Sequence, residues 1–160
     1  MNQQSTLTAS AFQSLILEEV SAVDRFIDVL KREQQTLVEG HTDLLAMLAT
    51  EKSECCNSLD RIGRKRLLML SSAGLAPAPA SLKPWLDAQP QGLRDAWQGL
   101  LLKAGEARDL NRQNGEIINA HMQHNRQALT VLLEISNRAS VYGPDGQPRP
   151  SSGGRILGRG

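Results

Sequence analysis

At 160 residues and 17.5 kDa the chain fits a single domain with length left over for a tail. Eighteen Lys and Arg against seventeen Asp and Glu leave no basic excess, which argues against a dedicated nucleic-acid binder. The longest apolar run, the six residues Leu44 to Ala49, falls far short of the roughly 20 needed to cross a bilayer, so no direct membrane insertion is expected.

The N-terminal Met1-Asn2-Gln3-Gln4 lacks the cationic patch and apolar stretch of a secretory leader, so the chain is expected to stay in the cytoplasm. Steps of four and three from Ile16 reach Val20, Val23, Ile27, Leu30, Gln34, Leu37, His41, Leu44 and Leu48. Eight of these ten positions are apolar, and the residues between them are mostly charged or polar. This is the narrow seam by which one long helix packs along another. Gly40 disfavours a helix interior, and Thr42 is a good N-cap for a new helix opening at Asp43, so a tight turn is expected there.

A second helix is predicted over about Asp43 to Ser71. Its stripe is Leu48, Cys55, Leu59, Ile62 and Met69, interrupted by Lys52 and Arg66. Cys55 and Cys56 are sequence neighbours and cannot staple distant parts of a fold, so they are expected to stay reduced. The run Arg61-Ile62-Gly63-Arg64-Lys65-Arg66 is the one strong charge block. It could hold an acidic partner or nucleic acid, but cations without interleaved aromatics also fit a solvated helix end.

Residues 71–92 carry Pro77, Pro79, Pro84 and Pro90, which forbid a long helix. The Ala-Pro alternation from Ala76 to Ala80 predicts an extended linker, and a short helical turn around Leu82 to Ala88 would bring Trp85 against the bundle. The third long helix is predicted over about Leu93 to Ala139. Its seam is Trp97, Leu100, Ala104, Ala107, Asn111, Asn114, Ile118, His121, Asn125, Ala128, Leu132 and Ile135, with the four polar positions clustered in the middle. At 1.5 Å per residue such a helix is roughly 70 Å long and needs a long partner. Asn114-Gly115 is expected as a weak spot or kink.

The last eighteen residues hold six Gly and three Pro, and are expected to form a mildly basic, disordered tail. The expected fold is therefore all-α. It is an elongated antiparallel bundle, or coiled-coil hairpin, of three long helices, with room for a short fourth in the linker. One helical domain is expected over 1–142 and a flexible tail over 143–160.

No glycine-rich phosphate loop or nucleophile elbow is present in the sequence, and an enzyme is not expected. His121 and His124 stand three apart on one helix face, yet no second pair of ligands matches them, so neither a metal nor another cofactor is expected, nor a small-molecule substrate. On the third helix Ile117, Ile118, Met122, Leu129, Leu132 and Leu133 spread wider than one seam. Helix-on-helix core is the default use of such a stripe, but part of it is expected to remain open to a helix of another chain.

Leu-Asn-Arg-Gln-Asn-Gly-Glu-Ile-Ile from Leu110 to Ile118, Asn-Arg-Gln-Ala-Leu from Asn125 to Leu129, and Val-Tyr-Gly-Pro-Asp-Gly-Gln from Val141 to Gln147 resemble the FlgN family of flagellar export chaperones. Glu33 to Leu37 and the pattern from Leu48 to Lys52 look like the family's first two helices. The linker and the last dozen residues show no match. The resemblance implies a bacterial cytoplasmic chaperone of flagellar type III secretion. Such a chaperone binds the C-terminal regions of the hook-filament junction proteins FlgK and FlgL, prevents premature assembly, and delivers them to the export gate at the membrane. It also implies that cargo meets the helix around Ile117 to Leu133. Tyr142 would then be the docking residue for the gate, with Gly143 and Gly146 as its joints. Packing of the Tyr142 ring against the helix end is the plainer alternative. A structural coiled-coil adaptor without cargo would use the same seams, and a nucleic-acid binder would rest on Arg61 to Arg66 alone.

Overall fold

The structure is a computed structural model and describes residues 8–141; Tyr142, Gly143, Gly146 and the tail lie outside the described residues. Four α-helices follow one another: α1 (Ala9–Glu39), α2 (Leu45–Ser72), α3 (Pro79–Asp87) and α4 (Gln91–Val141), with a 3-10 turn at Thr42–Leu44. Thr8 caps α1 by accepting a hydrogen bond from the Ala11 N–H at 3.3 Å. Gly40 ends α1 in the left-handed region at φ 76°, where its N–H and that of His41 both donate to the Thr36 carbonyl. The expected turn is thus present. Thr42 does not cap α2, however, because the extra 3-10 turn moves the helix start to Leu45, behind an uncapped Leu44.

The linker is more helical than an Ala-Pro spacer. Pro79 opens α3, at a position where a missing N–H costs nothing, and Leu82 and Leu86 follow one turn apart, both buried. Trp85 meets Phe12 edge-to-face with ring centroids 5.3 Å apart. The Trp97 ring of α4 stacks on the same phenyl at 6.2 Å. Phe12 is fully buried, and Leu70, Leu82 and Leu93 join it in the core, so all four helices meet at this end. Most of the predicted α1 seam is buried: Ile16, Val23, Ile27, Leu30 and Leu37.

The chain divides into two compact units, Met1–Ile117 and Ile118–Gly160. In the first, charged pairs fix the directions of the helices. Glu19 pairs with Arg66 at 2.8 Å and Glu33 with Lys52 at 3.1 Å, so α2 runs antiparallel to α1. Lys31 pairs with Glu106 at 3.0 Å and Gln34 with Gln113 at 3.2 Å, so α4 runs parallel to α1. Lys52 and Arg66, which break the α2 stripe in sequence, are the cations that neutralise two buried carboxylates beside the α1 seam, Glu33 and Glu19. Arg66 also lies over the Trp97 ring, 5.7 Å from its centroid.

Asn114 is wholly buried in the polar middle of the α4 seam. Its amide donates to the Leu30 carbonyl at 2.9 Å and to the Glu33 carboxylate at 2.7 Å, while its Oδ1 has no partner. The helix continues through Asn114 and Gly115 into the second unit. Replacing Lys52 by Met leaves the largely buried Glu33 carboxylate with only the Asn114 amide. Urea denaturation should show a loss of about 1–2 kcal/mol, below the value for a fully buried pair because Lys52 is partly exposed. Lys31→Met, at an exposed pair, should change stability by less than about 0.5 kcal/mol.

Candidate functional site

Within the first unit the α4 seam finds partners: Leu93, Leu100, Ala107 and Asn114 are all buried. The described part of the second unit holds only the continuation of α4, and every residue from 119 to 139 is exposed. A single helix has no neighbour on which to close an apolar face, and its large side chains stand in water. Met122 is 47% exposed, Leu129 58%, Leu132 61% and Leu133 64%. Ile118 is half-buried. At about 100° per residue, Ile118, Met122, Leu129, Leu132 and Leu133 share one arc of about 100°, with Asn125 among them.

Ile117, the sixth residue of the predicted stripe, belongs to the first unit and is half-buried there. Val131 and Ile135 are exposed as well, on the other flank of the helix. Ile135 is legible as a seam position, whereas nothing in the sequence pattern singles out Val131. Such a face offers dispersion and apolar burial rather than bond-making chemistry, and burying one Leu is worth about 1.5–3 kcal/mol.

The other candidates resolve into local interactions. His121 and His124 are exposed, and no group of three metal-ligating side chains occurs among the described residues. The basic block on α2 is divided. Arg66 is committed to Glu19 and Trp97, Arg64 pairs with Asp60 at 2.8 Å, and Arg61 and Lys65 are exposed. It sits more than a turn inside α2 rather than at its end, since the helix runs on to Ser72.

A polar cavity of about 380 Å³ lies between α1 and α2, walled by Arg25, Arg32, Glu51, Glu54 and Cys55. Arg32 donates two hydrogen bonds to Glu51, at 2.6 and 3.0 Å, and these hold the Glu51 carboxyl below its ordinary range. The stabilisation from this pair is complete above the ordinary carboxyl range and is lost as acid titrates Glu51 through its lowered value.

A family model described as FlgN protein matches residues 1–150. The chain belongs to the FlgN family. It is 28% identical over 155 residues to the flagella synthesis protein FlgN of Yersinia enterocolitica, covering 96% of this chain and 97% of that one. The flagella synthesis protein FlgN of Salmonella typhimurium is 28% identical over 144 residues, covering 88% of this chain and 93% of the relative. A crystal structure assigned as a flagella synthesis protein FlgN from Pseudomonas aeruginosa superposes with a TM-score of 0.59 at 23% identity. It covers 66% of this chain and 84% of that one, and shares the fold. As a FlgN family member the chain has a role in flagellar assembly. No helix among its described residues is long and apolar enough to cross a membrane.

The two cysteines of this FlgN chain are free, and they differ in setting. Cys56 is exposed, whereas Cys55 is half-buried, and burial pushes its thiol above the ordinary range. Iodoacetamide at about pH 8 should therefore alkylate Cys56 well before Cys55, as read by fragment-ion mapping of the peptide that holds both.

Proposed function

We propose that this FlgN family member is a cytoplasmic, non-catalytic export chaperone. It holds the C-terminal helical segments of the hook-filament junction proteins FlgK and FlgL on the face formed by Ile118, Met122, Leu129, Leu132 and Leu133, with Ile117 at its margin. It then passes them to the flagellar export gate through Tyr142, flanked by the joints Gly143 and Gly146. The observation that carries this proposal is the exposure of Leu129, Leu132 and Leu133 on one helix face, in a family tied to flagellar synthesis.

This stretch of α4 leaves its apolar face in water, and a second amphipathic helix laid along it would bury both apolar faces. A cargo segment that is unstructured when free must offset its own ordering with that burial, so the face needs several large anchors close together. Such a partner also explains why a binding surface would carry Met122, whose unbranched side chain adapts to more than one facing residue.

Co-purification with an untagged C-terminal segment of FlgK tests the proposal directly, and a segment that stays free at micromolar concentration refutes it. Leu132→Asp should weaken capture at least about tenfold, or about 1.4 kcal/mol. Circular dichroism of that variant should match the wild type, because Leu132 touches no core in the described structure. Tyr142→Ala should leave cargo affinity nearly unchanged while secreted FlgK falls. Loss of cargo affinity in that variant would return Tyr142 to a packing role. Sedimentation as a dimer with no cargo uptake would replace the chaperone by a self-pairing adaptor.

A further inference from the structure

Two adjoining cavities, of about 470 and 580 Å³, open along one side of α4 within the first unit. Pro77, Pro79, Trp97 and Leu101 border both, so the two form one groove, extending from Leu86 of α3 to Ala107 of α4. Its apolar floor is preformed. The prolines have fixed φ, and the Trp97 ring packs against Phe12 and the Arg66 guanidinium. Leu101 at the centre is 55% exposed. From Trp97 to Ala107 the groove follows α4 for about 15 Å, the length of roughly three helical turns.

The charges around it are unbalanced. Four cations line the groove, Arg66, Lys83, Arg94 and Arg108, against two carboxylates, Glu19 and Asp87. Both carboxylates are already neutralised, Glu19 by Arg66 and Asp87 by Lys83 at 2.8 Å each. Arg94 donates to the neutral Gln91 amide, and neither it nor Arg108 forms an ion pair among the described residues. Two guanidinium groups thus flank an apolar floor with nothing of opposite sign to meet them.

We propose that this groove docks an acidic amphipathic helix of another protein, its apolar residues on Trp97 and Leu101 and its carboxylates on Arg94 and Arg108. Charge decides against the C-terminal tail and against the open face of α4 in a second copy. Residues 142–160 carry Arg149, Arg155 and Arg159 against Asp145, and the exposed face of α4 in a second copy carries Arg126 and Arg138 against Glu134. Both are cationic, as the groove is. The site is separate from the cargo face on residues 118–133, and it would let the protein hold two partners at once.

The probe is a fluorescein-labelled 14-residue peptide with Leu at helical i, i+3, i+4 and i+7 spacing and Glu elsewhere, titrated with the full chain and followed by anisotropy. A second peptide carries Lys at every Glu position. The Glu peptide should bind at least about tenfold more tightly than the Lys peptide. The double variant Arg94→Glu, Arg108→Glu alters two exposed residues and should keep the wild-type circular dichroism, yet reverse that preference. Leu101→Asp should weaken both peptides.

Equal affinity for the two peptides overturns the proposal, as does no binding of the Glu peptide at about 100 μM, or an unchanged preference in the double variant. So does a loss of Glu-peptide binding in Leu132→Asp, which would place the peptide on the cargo face. Capture of the protein by phosphatidylglycerol vesicles without any peptide binding would assign the cations to a lipid surface instead.

Discussion

The Asn114 amide reaches from α4 to the Leu30 carbonyl and the Glu33 carboxylate of α1, and Lys52 of α2 closes on that same carboxylate. Three helices are joined at one buried point. Apolar seams attract without direction, and a helix sliding by one turn exchanges one Leu or Ile for another at little cost. An amide with two acceptors does not slide, because moving it leaves a buried carboxylate and a carbonyl without their donors. The orphaned Oδ1 carries a penalty of about 1–3 kcal/mol, so the network selects a register more than it adds stability. With that register set, Trp97 stands beside Phe12 and Arg66.

One seam on α4 serves two ends. Up to Asn114 it is covered by α1 and by the core around Phe12. In the second unit the same spacing continues through Leu132 and Ile135 with no other described helix to face it, and those side chains are exposed. Burial of an amphipathic stripe depends on a partner as much as on the stripe. On the proposed function, the exposed stretch of α4 is the part that would hold another chain, while the buried stretch keeps the first unit folded.

Chemistry separates the open face from the groove beside α3. The face on residues 118–133 offers flexible aliphatic side chains on a convex helix. The groove offers a rigid aromatic and two prolines beneath unpaired guanidinium groups. A convex aliphatic strip accepts many amphipathic helices, whereas a concave, charged slot discriminates by sign.

The all-α class, the turn at Gly40, the short helix bearing Trp85 and the long final helix were all legible from periodicity and from Gly and Pro placement, because backbone sterics and 3.6-residue spacing act locally. The motifs at Leu110 to Ile118, Asn125 to Leu129 and Val141 to Gln147 carried the family as well. Only the tertiary structure decided that Lys52 and Arg66 belong to Glu33 and Glu19, that Asn114 is buried while Asn125 is exposed, and that Arg94 and Arg108 overhang a groove. Those pairings join residues 19 to 84 positions apart, and a one-dimensional pattern shows that a position is polar without showing which charge it will meet. The extra 3-10 turn before α2 and the helical start at Pro79, both local backbone features, also escaped the sequence pattern.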